Sequence, residues 1–440
     1  MGKGSADDNT VHILNRGRNE IMKVYSVLLI TGFLLTVSLV VIVGCKYDTI
    51  GPQWDQPATQ STTVTITSID PPQEAAPGVN IITIHGSGFK GALDSMKVHN
   101  ASTNQDTTLI YNGIFFNKLL ADVIDITSTS ITLRRPDVVS DSCMIKVISD
   151  KAIVKASIGP YKIYPVKSQS SAFLDNFPLS TVAIDALGNL YVIKQVAPLT
   201  VFKVTPTGDK TVIGTASYIP TDAKIGPDGN LYYLNSQFQK RIYILNVNGS
   251  ATSKDSLWGT STKNVKFGDF AANGYFYTGG TQNGIVVIRP DRSTREESYY
   301  VSDTILSVRV FNQYLYVAAK GAIWRHSISD TSKLGNQELV IDLTQGIFGS
   351  RLIKAFSFSA DGSKMYIGTN SPDPILIATD AMNIPITSDR VDILYKNILP
   401  PYCKQFCFGN MLYMISGNAV PAVNWTLYQV DVGTTGAPYY

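Results

Sequence analysis

From residue 179 onward, short apolar runs alternate with short polar gaps, and one arrangement of them returns along the chain. Its clearest copy spans Asp228 to Val247: Asp228-Gly229-Asn230-Leu231-Tyr232-Tyr233-Leu234, a polar gap, then Arg241-Ile242-Tyr243-Ile244-Leu245-Asn246-Val247. A Tyr preceded by a large apolar or aromatic residue occurs at Tyr191, Tyr232, Tyr277, Tyr316, Tyr366 and Tyr413, with gaps of 41, 45, 39, 50 and 47 residues. After each comes a second alternating run, such as Thr200-Val201-Phe202-Lys203-Val204, Gly284-Ile285-Val286-Val287-Ile288 or Trp425-Thr426-Leu427-Tyr428-Gln429-Val430. Before it stands another, such as Thr181-Val182-Ala183-Ile184 or Ala355-Phe356-Ser357-Phe358. Period-two alternation predicts strands, and Asp228-Gly229 and Asp361-Gly362 read as two-residue hairpin signals because glycine accepts the positive φ of such turns. Each unit is therefore expected to be a small antiparallel sheet.

A lone four-stranded sheet cannot bury two apolar faces, and strand repeats of about 40 to 50 residues stack radially into a propeller. Six copies predict six blades. An unpaired closing edge would invite association, so the outermost strand of the last blade is expected to come from residues just before the first, around Lys167 to Leu174. The fold class expected is all-β, with the repeats forming a six-bladed β-propeller after an immunoglobulin-like sandwich that the resemblance of residues 64–165, given below, implies.

The segment preceding the repeats opens with a different kind of signal. Val24 to Val43 carries no charge and follows Lys23 directly, which suits a signal peptide or a membrane anchor. It ends in Ile42-Val43-Gly44-Cys45, which resembles a bacterial lipobox and implies lipidation of Cys45. Residues 1–44 are then a leader, and residues 45–63, rich in Pro, Gln and Thr without apolar periodicity, a flexible tether. Removal of the leader leaves 33 basic and 31 acidic residues. A balance of +2 predicts no nucleic-acid partner. The remaining cysteines, Cys143, Cys403 and Cys407, are odd in number and give no disulfide framework; Cys403 and Cys407, four apart in a strand, would lie about 13 Å from each other at ~3.3 Å per residue.

Between the tether and the repeats, residues 64–165 are strand-like throughout. Thr65-Ile66-Thr67-Ser68-Ile69-Asp70-Pro71-Pro72, Pro77-Gly78 and Ile81-Ile82-Thr83-Ile84-His85-Gly86-Ser87-Gly88-Phe89 resemble the opening of an IPT/TIG immunoglobulin-like domain. Gly86-Ser87-Gly88-Phe89-Lys90-Gly91 also satisfies the dinucleotide fingerprint, but no βαβ unit or acidic partner accompanies it, so nucleotide binding is not expected. The propeller is assigned residues 166–440.

Catalysis requires converging titratable groups. The four histidines, His12, His85, His99 and His326, show no zinc spacing; no Gly-x-Ser-x-Gly elbow and no EF-hand loop occur. No metal, cofactor or catalytic residue is predicted, although calcium held by carboxylates scattered over blades, as in propeller hydrolases or lactonases, leaves no sequence spacing to find. The acidic residues Asp185, Asp228 and Asp361 occupy turn positions. Aromatic residues in the connections between second and third strands, and between blades, are the better candidates: Tyr218, Phe238, Trp258, Tyr300, Phe348, Tyr402 and Trp425, with Arg351 among their polar companions. Flat rings stack on sugar faces while amides and guanidinium groups bond hydroxyls, a mix suited to neutral glycans; rings of this kind also cap blade cores.

The order of lipobox, IPT/TIG domain and NHL-like propeller resembles surface lipoproteins that accompany nutrient-uptake systems of the Bacteroidota, including surface glycan-binding proteins. That resemblance implies a non-catalytic, lipid-anchored protein of the outer membrane, facing the cell exterior, which holds a polysaccharide or oligosaccharide for a partner outer-membrane transporter. A propeller hydrolase or lyase, or a protein-interaction scaffold, stands as the alternative.

Overall fold

The computed structural model describes residues 63–439 except 90–94, 101–104, 111–112, 149–154, 175–177, 282–283, 350 and 418–424. The leader, most of the tether and Cys45 lie outside the described residues.

The first domain is a sandwich of two sheets. One runs Thr65–Asp70, Ile81–Ser87, Ser130–Arg134, Val123–Ile126 in spatial order; the other Glu74–Ala75, Ala156–Ile163, Ser140–Ile148, Gly113–Phe116, Leu119–Leu120. Alternation places Ile82, Ile84, Ile131 and Leu133 of one sheet against Phe116, Ile145 and Tyr161 of the other. Geometry accounts for the Gly-x-Gly-Phe motif: a Cβ at Gly86 would lie 1.9 Å from the Thr65 carbonyl, Gly88 holds φ +77°, and Phe89 is buried. Both glycines serve close backbone packing.

Six four-stranded antiparallel sheets follow. Their innermost strands are Leu179–Ile184, Pro220–Ile225, Phe267–Phe270, Ile305–Phe311, Ile353–Phe358 and Cys403–Phe408. Each packs beside the inner strands of the two flanking blades, and the sixth beside the first, so the sheets close into a six-bladed propeller. Lys167–Gln169 pairs antiparallel with Thr426–Val430 as the outermost strand of blade 6, and so the ring is fastened by residues that precede blade 1.

The recurrent tyrosines are core residues of the second strands, opposite Ala183, Lys224, Asp269, Arg309, Ser357 and Cys407 of the inner strands. Tyr191 and Tyr232 bury their rings and donate their hydroxyls to Asp185 Oδ2 (2.9 Å) and Asp228 Oδ2 (2.8 Å) in the adjoining turns. The Asp-Gly hairpins are longer than expected. Gly226–Asn230 and the equivalent residues 359–363 are five-residue connections, in which the carboxylate of Asp228 or Asp361 accepts the backbone N–H two residues on, while Gly229 and Gly362 adopt φ +78° and +73°. Two-residue turns with positive φ at both positions occur in blade 4, at Asn312-Gln313 and Lys320-Gly321.

Five inner strands carry a bulge near their start, between Leu179 and Thr181, Pro220 and Asp222, Ile305 and Ser307, Ile353 and Ala355, and Cys403 and Gln405. The residues left out of the ladder are Ser180, Thr221, Leu306, Lys354 and Lys404. A bulge re-aims its extra side chain, and three of these reach the next blade: Ser180 Oγ donates to Pro220 O at 2.7 Å, Thr221 Oγ1 to Lys266 O at 2.7 Å, and Lys404 Nζ to Leu179 O at 2.9 Å.

The sandwich docks on blade 5 and on the chain leaving blade 6. Asn80 Nδ2 donates to Asp392 Oδ2 (2.6 Å), Arg134 Nη1 to Asp392 Oδ1 (2.9 Å), and Lys396 Nζ to Asp122 Oδ2 (2.8 Å). The buried Tyr395 accepts from Gly78 N (2.6 Å) and donates to Asp431 O (2.8 Å).

Candidate functional site

Antiparallel connectivity sends the second-to-third strand connections and the blade-to-blade connections to one end of the ring, the upper face, and the remaining turns to the lower face. The predicted rings divide into two groups on this frame. Phe348, in the short turn Gly346–Phe348, is 3% exposed and packs in the core of blades 4 and 5; Tyr300 is 6% exposed and its hydroxyl meets His326 Nε2 at 3.0 Å. Trp258 is not in a loop: it sits on the outer strand Ser256–Thr260, edge-on to Tyr232 (5.1 Å), Phe270 (6.1 Å) and Phe276 (6.1 Å), capping the seam between blades 2 and 3. These three rings are part of the packing rather than of an open surface. Apolar burial outweighs the loop positions from which the sequence places them outside.

The others keep outward surface. Phe238 is 44% exposed, and its place is fixed: the buried Asn235 accepts the N–H groups of Gln237 (3.0 Å) and Phe238 (2.6 Å) at Oδ1, forming an Asx turn. Half-buried Tyr218 meets it edge-on at 4.7 Å, and the Arg241 guanidinium lies 5.0 Å from its ring centre. Arg351 donates to the carbonyl of Asp373, with its guanidinium 5.7 Å from the Phe348 ring. Half-buried Tyr402 holds φ +59° and donates its N–H to Ser371 O at 2.9 Å. Trp425, also half-buried, packs on the blade 6 and blade 1 core, with Lys404 Nζ 5.5 Å from its ring.

Inside the ring the inner strands present charge that the hydrophobic pattern does not reveal. Asp269 and Arg309, each 1% exposed at the side chain, pair at 2.8 Å; Asp222 and Lys224 pair at 2.9 Å, and Asp222 also accepts from Gln405 Nε2 (2.8 Å) and Gly268 N (3.1 Å). Burial raises the Asp222 carboxyl above its ordinary range, against the pull of Lys224. Higher in the channel, Lys404 donates to Leu179 O and to Gln195 Oε1 (2.6 Å), both uncharged, and burial lowers its amine to about 8. Lys354 stands at the equivalent position of blade 5. Beneath them the channel is closed by Tyr439, whose hydroxyl accepts from Phe408 N at 3.0 Å and whose ring centre lies 3.9 Å from the Arg309 guanidinium. The space left is about 20 Å³, between Thr221, Ser307, Lys354, Lys404 and Gln405, with walls of Phe267, Phe356 and Phe406.

Two larger concavities lie on the lower face, on either side of the terminal segment. One, about 780 Å³, is lined by Asn273, Asn312, Gln313, Ser329, Asp330 and Asp361; the other, about 470 Å³, lies between the turns of blades 1 and 6. Among the described residues no group of three or more His, Cys, Asp or Glu is arranged to hold a metal ion, and no helix is long and apolar enough to cross a membrane. Cys143, Cys403 and Cys407 are free and buried, and desolvation raises each thiol.

Residues 64–162 match the IPT/TIG domain family. No curated protein matches the chain. Among solved structures the chain is similar to an auxiliary nutrient binding protein from Bacteroides ovatus (13% identity, TM-score 0.46, covering 84% of this chain and 98% of that one). It is also similar to one from Bacteroides thetaiotaomicron (11%, TM-score 0.45, 86% and 99%) and to a gluconolactonase from Xanthomonas campestris (12%, TM-score 0.45, 67% and 91%).

Proposed function

We propose that this protein is a non-catalytic binding protein, anchored through a lipid on Cys45 to the outer membrane and facing the cell exterior. It holds a polysaccharide or oligosaccharide on the upper face of its propeller for a partner transporter. The observation that carries this reading is Phe238: an apolar ring kept in solvent by a dedicated Asx turn, buttressed by Tyr218 and flanked by Arg241 and Gln237. A ring so placed is a platform for the apolar face of a sugar, with a guanidinium and an amide in reach of its hydroxyls. Tyr402 and Trp425 extend the same face. Weak contacts of this kind suit a chain-like ligand, because many tethered copies engage one polymer and modest affinity becomes retention.

Affinity electrophoresis through gels containing a panel of neutral and acidic polysaccharides tests this. Retardation by at least one polymer is expected, and it should be lost in the Phe238→Ala and Tyr218→Ala variants. Migration unaffected by every polymer would overturn the proposal.

A further inference from the structure

Four cations face the channel, Lys224, Arg309, Lys354 and Lys404, against two carboxylates, Asp222 and Asp269. The two carboxylates are taken: Asp222 by Lys224 and Asp269 by Arg309. Lys404 is left with neutral oxygens only, and no described carboxylate pairs with Lys354. Two lysines on neighbouring blades therefore line the top of a narrow channel without a carboxylate partner, beside the rings of Phe267, Phe356 and Phe406. Enclosed cations without a partner are costly, and an anion brought to them gains more there than in open water. The channel is blocked below by Tyr439, so this place is reached from the upper face, and the about 20 Å³ left, room for roughly one water-sized group, takes an oxygen of a ligand held at its mouth.

We propose that the upper end of the channel binds one anionic group, a carboxylate or sulfate, borne by the sugar that the upper face holds. Lys354 and Lys404 donate to its oxygens, and Ser307 supplies a hydroxyl beside them. The proposal rests on the binding function above and narrows it: the ligand is an acidic glycan, where the aromatic residues by themselves suggest a neutral one. The low amine of Lys404 agrees with this arrangement, since a bound oxyanion returns the countercharge that burial withholds.

The test is calorimetric titration of the full mature chain with glucuronate, with its neutral methyl ester, and with sodium sulfate at matched ionic strength. Glucuronate is expected to bind about tenfold more tightly than the ester, the worth of one charge-assisted contact. That advantage should vanish in Lys354→Met, and in Lys404→Gln should Lys354→Met fail to fold. Equal binding of acid and ester, including no binding of either, overturns this inference while polysaccharide retardation still judges the underlying function. Binding of sulfate without glucuronate would assign the site to a free oxyanion and overturn the sugar-borne source.

Discussion

The guanidinium of Arg309 lies 3.9 Å from the centre of the Tyr439 ring, so a side chain from the inner strand of blade 4 and one from the last described residue of the chain meet inside the ring. Arg309 Nη2 donates to the carbonyls of Ala437 (3.0 Å) and Pro438, and Ala437 N donates to Phe358 O at 2.8 Å. The terminal segment is thus bonded to blades 4 and 5 and stoppers the channel that Arg309 and Asp269 share.

Replacing Asp269 by Ala leaves the Arg309 charge enclosed without its partner. A loss of about 3 to 5 kcal/mol of stability is expected, the usual result of breaking a buried pair from one side. Chemical denaturation should give a lower midpoint with an unchanged slope. Tyr439→Ala removes the ring contacts and the acceptor of the Phe408 N–H but strands no charge, and should cost less than Asp269→Ala; the reverse order would argue against the pairing as the principal tie.

Lys404 gives a pH signature with a definite sign. Its amine titrates near 8 in the folded chain and at its ordinary value of 10.5 when unfolded, so between those values the unfolded chain holds more of the proton. Stability attributable to this residue therefore rises with pH from about 8 to about 10.5 and is at its lowest below 8. Lys354, Asp222 and Lys224 share the channel and contribute to both sides of the comparison. Relative to the parent, Lys404→Met should be more stable by about 1 to 3 kcal/mol at neutral pH, an advantage that shrinks above pH 8. Thermal denaturation of both chains across this window decides it.

The candidate rings should separate into two classes. Phe348→Ala opens a cavity in a closed core and is expected to cost about 3 to 5 kcal/mol, with Tyr300→Ala close behind. Phe238→Ala should change stability by no more than about 1 kcal/mol, as surface substitutions do, while abolishing gel retardation. Calorimetric melting beside affinity electrophoresis reads both, and a Phe238→Ala protein that melts far below the parent would remove the ring from the list of ligand contacts.

The polar seam between the domains carries its own expectation. Arg134 and Asn80 converge on Asp392, and Tyr395 ties Gly78 to Asp431. Replacing Asp392 by Ala and Tyr395 by Phe together should release the sandwich from the propeller, so that one melting transition becomes two and the segment around Tyr164 becomes open to protease. A single unchanged transition would show that the contacts left, Asn80 with the backbone of Ile393 and Tyr395 and the pairs Lys396–Asp122 and Lys167–Asp137, suffice.

Much of this architecture is written in a local code. A tyrosine that buries its ring in a second strand recurs at a spacing the eye can find, and the blade count follows from it; the front of the sandwich is legible because Gly86 and Gly88 admit no side chain. The ligand face is less legible. Trp258 and Phe348 look like loop aromatics until neighbouring blades close over them, a long-range event with no trace in adjacent residues. The channel lysines leave a faint one: Lys354 to Phe358 and Lys404 to Phe408 share a Lys followed four residues later by Phe. What that repeat means depends on which bulge turns the lysine inward, and bulges belong to pairing, not to composition.

The outermost strand of blade 6, Lys167–Gln169, is also the run of chain that arrives from the sandwich. Tension applied from the amino-terminal side is therefore delivered to the three residue pairs that clasp the toroid, after the polar seam on blade 5 has yielded. The strand that closes the ring is thus also the one that bears such a load, and the seam acts as the strain relief that shields it.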